Sequence, residues 1–559
     1  MTGPAGRAAW WRTAVVYQVY VRSFADSNGD GEGDLGGVRE RLPYLKELGI
    51  DAIWLTPFYP SPLLDGGYDV ADHRDVDSRF GMLADFDTLV ADAHQLGIRI
   101  IVDVVPNHVS WEHHWFREAL ATPPGSRAWD RFHCVKGRGS NGTEPPNQWQ
   151  SVFGGPAWTV VPAAAGGDSG WWYLHLFDRS QPDLNWENPE VAADMRDTLR
   201  FWFSRGADGI RIDVATGLMK APGYPDEGPD STAHPYWDRD EVHGVYRDWR
   251  NVADEFDARV MVGEVILGDA DRVARYVRPD ELHMAFNFSG LQAPWDAAAM
   301  RSAIETPLHH NESVGAPTTW VLENHDVPRA VTRFAEPQDT RDPQRFPTAS
   351  FGSVDEPHLL LGRARARAAL MLFASLPGSF YLYNGQELAL PEVADLPDEA
   401  RQDPIFARTG GQQPGRDGCR VPLPWGGYGA NAGFGPPGGD PSWLPQPAGW
   451  DENSVQRQRS DPASMLRLAQ EVLQLRRSLG LGGRELRWRD DLDPQSPDLI
   501  VVDLIDPHTP APTVRVALNL SDKALDLPPG EVLLTSADAD PGRLAANGAV
   551  WLEVGGPDR

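Results

Sequence analysis

Ala207-Asp208-Gly209-Ile210-Arg211-Ile212-Asp213-Val214 is the stretch from which the fold is read. Ile210 and Ile212 alternate with Arg211 and Asp213, the pattern of a short strand that carries a charged pair to its end. Alternate positions on a strand share a face, so the guanidinium and the carboxylate lie side by side. There the Arg can hold the Asp ionised and fix its rotamer, which a nucleophilic carboxylate requires. An isolated Gly-x-Arg-x-Asp is more often a structural ion pair. The flanking chain decides between the two.

Upstream, residues 14–21 form a buried-strand run rich in Val and Tyr. Helical spacing over 35–48 stops at Gly49, and 52–55 is a second strand. A helix over 85–96 stops at Gly97, and the strand 98–104 leads into Asp103-Val-Val-Pro-Asn107-His108. Downstream, helical patterns over 189–203, 242–256, 362–375 and 462–479 interleave with strands at 260–264, 282–288, 318–322 and 379–383. Eight βα units predict a TIM barrel, with its chemistry where strands end and loops begin.

Residues 111–180 break this rhythm with Gly, Pro, Trp and Asn, and read as an irregular subdomain inserted after the third strand. A Gly/Pro-rich excursion over 391–449 is longer than a compact domain tolerates without a function. Beyond 481 short apolar strands predict an antiparallel β domain of sandwich type. The expected division is a barrel over 1–108 and 181–480, an insert over 109–180 and a C-terminal domain over 481–559.

Composition sets the partner. A formal charge of -29 argues against nucleic acid and anionic membrane surfaces, which need a basic face. The 21 Trp supply flat faces for stacking on a neutral ligand such as a sugar. Two cysteines are too few for a disulfide framework, residues 1–11 carry no apolar signal core, and no run is long enough to span a bilayer. The chain reads as cytoplasmic.

On the barrel expectation Asp103, Asn107, His108, Asp213, Glu264, His325 and Asp326 all fall at strand ends on one rim. Each desolvated alone would be costly, so their convergence argues for a site. Glycoside cleavage needs one ionised and one protonated carboxyl, with a third to grip the ring. No Gly-rich phosphate loop or Gly-x-Ser-x-Gly elbow competes. Separately, Asp26, Asn28, Asp30, Glu32 and Asp34 fall at alternate positions with Ser27 and then Gly between them, like the front of a calcium loop.

These motifs resemble the α-amylase superfamily, glycoside hydrolase family 13, and within it the oligo-1,6-glucosidase and α-glucosidase branch. The resemblance rests on Asp103-Val-Val-Pro-Asn107-His108, Gly209-Ile-Arg211-Ile-Asp213, Gly263-Glu264-Val, Glu323-Asn-His325-Asp326 and Gln181-Pro-Asp-Leu-Asn185, in that family's order. It implies a retaining exo-α-glucosidase releasing α-glucose from short malto- or isomalto-oligosaccharides, with transglucosylation open to it. The alternative is a trehalose synthase-like glucosyl transferase. By resemblance Asp213 is the nucleophile, Glu264 the acid/base and Asp326 the third carboxylate. His108 and His325 bond the same sugar, Arg211 keeps Asp213 charged, and Tyr68 stacks on the ring. Arg420, in Gly415-Arg-Asp-Gly-Cys-Arg420-Val-Pro-Leu-Pro-Trp425, is expected to pair with Asp65 and close the pocket behind one glucose. Val214 resembles α-1,6-cleaving members, while the following Ala215-Thr216-Gly217 looks closer to mixed or α-1,4 enzymes, so the linkage is left open. No organic cofactor is implied; one Ca2+ or Mg2+ is expected at the acidic loop.

Overall fold

Eight parallel strands close into a barrel in chain order, so each strand hydrogen-bonds its sequence neighbours and the last returns to the first. The computed structural model describes residues 9–162, 168–226, 234–335, 354–427, 431–492, 496–507 and 512–555. Residues 1–8, part of the stretch read above for a signal core, lie outside that set. The barrel strands are β1 (Val15–Val19), β2 (Ala52–Leu55), β3 (Arg99–Val104), β4 (Gly209–Ile212), β5 (Val260–Gly263), β6 (Met284–Asn287), β7 (Thr319–Val321) and β8 (Ser379–Tyr383). Strand β1 pairs Val15 with Phe380 and Val16 with Ala52, which closes the ring. The register sets Asp103 of β3 beside Arg211 of β4, and Ile212 beside Gly263 of β5. Partners in a parallel pair face the same way, so Asp103 and Arg211 both point into the barrel.

Every strand is apolar along nearly its whole length because helices cover the outside and side chains fill the inside. The expected alternation holds, with two local differences. The pattern over 35–48 is two helices, Leu35–Glu40 and Leu42–Leu48, because Pro43 cannot supply the N–H that would continue the first. Gly49 ends the second at φ +98°. The irregular insert contains a three-stranded antiparallel sheet, Cys134–Lys136, Asp168–Leu174 and Trp158–Pro162, with the longest strand in the middle.

The C-terminal region is a five-stranded antiparallel sheet whose edge strand, Glu485–Trp488, precedes the strands read from sequence. This sheet packs on the barrel through helix Glu356–Ser375. Trp551 is fully buried there, and its Nε1 donates to the Met371 carbonyl at 3.1 Å. No helix among the described residues is long and apolar enough to cross a membrane. Trp551→Ala removes both that packing and the bond, and is expected to cost about 3–5 kcal/mol. A lowered urea midpoint would show it, and an unchanged midpoint would mean the sheet is not anchored there.

Candidate active site

The loops that follow β2, β3, β4, β5, β7 and β8 surround a cavity of about 1020 Å³ at the C-terminal rim of the barrel. Asp65, Tyr68, His108, Asp213, Val214, Glu264, His325 and Asp326 all line it. Residues spread over more than 260 positions of sequence thus meet at one place.

Arg211 is the centre of the inner end. Its Nη1 donates to Asp213 Oδ1 at 2.7 Å and to Asp103 Oδ1 at 3.0 Å, while Nη2 lies 2.9 Å from Glu264 Oε2. The guanidinium sits under the rings of Trp54 and Tyr68, whose Nε1 and OH also donate to Asp103. Burial pushes Asp103 up to about 6 against the pull of Arg211. Burial likewise pushes Asp213 up, Arg211 opposes it, and Glu264 and Asp103 add to the rise. One cation thus serves three carboxyls, and the charge balance favours a proton on the group.

Directly after Asp213 the backbone turns through Val214 at φ +46°, a left-handed conformation unusual for a β-branched residue. The turn aims the Val214 N–H at Glu264 Oε2, 2.9 Å away. This hydrogen bond and the ion pair with Arg211 therefore fall on the same Glu264 oxygen.

A second cation organises the loops around the cavity. Arg416 donates through Nη2 to Asp65 Oδ1 at 2.6 Å, through Nη1 to Asp326 Oδ1 at 3.0 Å, and through Nε to Asp403. This corrects the expectation for Arg420, which does not reach Asp65. Arg420 lies behind the cavity wall, with Nη2 on Asp326 at 3.1 Å and Nε on the His325 carbonyl at 2.9 Å. The cause is local: Asp417–Arg420 is a turn of 3-10 helix, and Gly415 at φ +73° swings Arg416 toward the cavity. Burial works against a charge on Asp326, but the contact of His325 Nε2 at 3.3 Å and the Arg416 and Arg420 guanidiniums hold its carboxyl well below the usual range.

The histidines are neutral donors or acceptors here. Burial lowers His108 to about 4 and takes His325 well below its ordinary value. His325 stacks on Tyr68, 5.2 Å between centroids and 8° apart, and its Nδ1 is 2.6 Å from Gln18. His108 Nε2 is 3.2 Å from the Tyr68 carbonyl and from Gln181, whose amide also donates to Asp65 at 2.9 Å. Asn107 does not line the cavity. It joins the buried pair Lys220–Asp183, with Lys220 Nζ at 2.8 Å from each, and so ties the end of β3 to the segments around Asp183 and after β4.

Besides Arg416, sequence reasoning missed the aromatic walls, Phe153 and Phe177 from the insert and Trp237 from the segment after β4. The Trp-rich composition was their only trace.

The acidic loop lies apart from this cavity. Asp26 accepts from the N–H groups of Asn28, Gly29 and Gly31, Asp34 from Ser27 and Gly37, and Glu32 pairs with Arg22. Its oxygen donors suit a hard dication. As placed, they face backbone N–H groups, and among the described residues no three His, Cys, Asp or Glu side chains gather so as to hold a metal.

Arg416→Ala would strand Asp65, Asp326 and Asp403 beside each other in a buried setting, at about 3–5 kcal/mol. Thermal melting should therefore drop clearly in this variant. An unchanged melting temperature would mean the three acids do not depend on it.

A family model for the catalytic domain of α-amylase matches residues 18–480. A probable alpha-glucosidase of Rhizobium meliloti strain 1021 is 37% identical over 496 residues, 84% of this chain and 83% of its own length. An oligo-1,6-glucosidase of Parageobacillus thermoglucosidasius is 34% identical over 508 residues, 84% of each. A solved trehalulose synthase, a mutant complexed with Tris, superposes with a TM-score of 0.83 at 30% identity, covering 98% of this chain and 100% of its own. With a closed parallel barrel, carboxyls gathered at its rim and these likenesses together, the chain belongs to the α-amylase superfamily, glycoside hydrolase family 13, and is an enzyme of its glucosidase type.

Proposed function

We propose that the protein is a retaining, exo-acting α-glucosidase of short malto- or isomalto-oligosaccharides. The observation that carries this reading is Arg211 holding Asp213 on one terminal nitrogen and Glu264 on the other. Two carboxyls bridged by one guanidinium suit the ~5–5.5 Å separation of retaining enzymes better than the ~6.5–9.5 Å of inverting ones.

In this reading Glu264 carries the proton on Oε1, since Oε2 already accepts the Val214 N–H and pairs with Arg211. Asp213 Oδ2 attacks the anomeric carbon while Glu264 protonates the departing glycosidic oxygen. The ester so formed is then hydrolysed by a water that Glu264, now ionised, deprotonates. Two inversions return α-glucose. Asp326, kept charged by its two arginines, faces the positive charge that develops on the ring. His108 and His325, both uncharged, take the ring hydroxyls, and Tyr68 offers its face. Arg416 joins Asp65 to Asp326 across the inner end, which supports exo action because the chain can leave only by the mouth.

Asp213→Asn is expected to lower kcat on p-nitrophenyl α-glucoside by about 10⁴-fold or more. Polarimetry or NMR of the first product should show the α anomer. Near-normal turnover in the variant, or β-glucose as first product, would refute the mechanism. Because attack needs ionised Asp213 and its carboxyl is pushed up, activity should fall on the acid side at a pH above the ordinary Asp value of ~3.9. An acid limb at or below that value would contradict the proton balance described above.

A second reading keeps the site and changes the acceptor: a trehalose synthase-like transfer of glucose to another sugar. The cavity volume favours it, since ~300–1,000 Å³ already encloses a drug-sized ligand. Chromatography of products at high maltose separates the two, with mainly glucose expected for hydrolysis and trehalose for isomerisation.

We also infer cytoplasmic residence, supported by the two unpaired thiols of Cys134 and Cys419, and a structural Ca2+ or Mg2+ at the acidic loop. Asp26, Asn28, Asp30 and Asp34 would hold it, exchanging some of their N–H partners for the ion. It would tie the loop to the 431–443 segment on which it packs, where the Asp26 N–H already meets the Phe434 carbonyl at 3.0 Å. Millimolar Ca2+ or Mg2+ should raise the melting temperature over EDTA, and the exposed Asp30→Ala should abolish the rise. Identical melting in all three conditions would remove the site.

A further inference from the structure

The outer half of the cavity takes no part in the chemistry proposed above. It is formed by residues 234–241, between β4 and the helix Val242–Ala253, and by residues 266–272 after β5. Asp238, Asp240, Glu241 and Asp269 line it; among the described residues the arginines lining it are Arg239 and Arg272, with Arg275 behind them 3.8 Å from Asp240.

Both arginines are already engaged. Arg272 donates through Nε to Asp238 Oδ2, through Nη1 to Asp240 Oδ1 and through Nη2 to the Asp238 carbonyl, each at 2.7 Å. Arg239 Nη2 donates to Glu241 at 2.8 Å. The cations are matched within the wall, and carboxylate is left over. A phosphate group brings about −1.5 to −2 charges and is bound where Arg, Lys or backbone N–H groups stand ready to donate. Placed here it would meet acids whose own partners are their neighbours. The formal charge of -29 for the whole chain continues the same sign beyond the mouth, so an anion is opposed on approach as well.

We propose that the aglycone side of this cavity selects by charge, admitting neutral and cationic leaving groups and rejecting anionic ones, phosphorylated α-glucosides among them. This rests on the reading of the cavity as an α-glucosidase site and names the substrate class that site takes.

The test compares kcat/KM for three aryl α-glucosides: p-nitrophenyl, 4-(aminomethyl)phenyl and 4-(phosphonomethyl)phenyl. The methylene insulates the glycosidic oxygen from the charge in the last two. At low ionic strength the cationic substrate should exceed the anionic one by roughly tenfold or more, and 0.5 M NaCl should shrink the ratio. The double variant Asp240→Asn, Glu241→Gln should reduce the low-salt ratio severalfold. Equal kcat/KM for the two charged substrates, with p-nitrophenyl glucoside cleaved, overturns the selection and leaves the glucosidase reading standing. A ratio unmoved by the double variant places the selection outside this wall and overturns it too. Cleavage of none of the three overturns the glucosidase reading, and this proposal with it.

Discussion

A guanidinium buried under two aromatic rings and shared by three carboxyls is the constraint on which the rest of the barrel rim depends. Arg211 is 2% exposed, and its partners come from three adjacent strands. Desolvating such a group is tolerable only if its partners are fixed in place, and losing one partner leaves charge uncompensated in a dry setting. The barrel supplies that fixity. Register places Asp103 level with Arg211, and Asp213 and Glu264 follow at the ends of neighbouring strands. Asp103 touches no cavity surface, yet without it Nη1 would lean wholly on Asp213. Its role is to share the cation and so set how strongly the exposed carboxyl is held.

Arg416 repeats the device with loops instead of strands. Asp65 follows β2, Asp326 follows β7, and Asp403 and Arg416 follow β8. Loops alone would not hold such positions, and here each is pinned by a buried charge. Arg420 adds a brace from behind, gripping Asp326 and the His325 carbonyl together. The two guanidiniums divide the labour by sign. Around Arg211 carboxyls outnumber cations, so a proton is retained. Around Asp326 two arginines converge on one acid, so it stays ionised. Opposite balances within one cavity give one site both a proton donor and a fixed negative charge.

What was legible in the sequence follows from how each residue is positioned. Asp213 and Glu264 sit directly after strands whose apolar runs are unmistakable, and Asp326 a few residues after another, so their place on the rim follows from the barrel. Arg416 was not legible, because no periodicity fixes how a loop 351 residues away returns to Asp65. The motif resemblance pointed to Arg420, four residues on, and only the 3-10 turn decides which of the two arginines faces inward. Residues 234–241 went unremarked for a related reason: they lie between elements and carry no pattern. The edge strand Glu485–Trp488 escaped because four residues of alternating exposure look like the end of a loop.

Val214 joins these themes. A β-branched residue at φ +46° carries backbone strain of about 1–3 kcal/mol, which persists only where the surroundings over-determine it. Two constraints do so here. The strand end must present Asp213 to the cavity, and the next N–H must reach Glu264, so the chain has to reverse within one residue. A glycine would make that turn without strain but would leave no side chain behind. With valine, the strained position also places an isopropyl group on the cavity wall between Asp213 and the outer segment that begins at Thr216 and His234. On the proposed mechanism, the residue that links the nucleophile to the acid is therefore also one that lines the passage between the two halves of the cavity. Chemistry and choice of leaving group are adjustable apart from each other in this fold only up to that point in the chain.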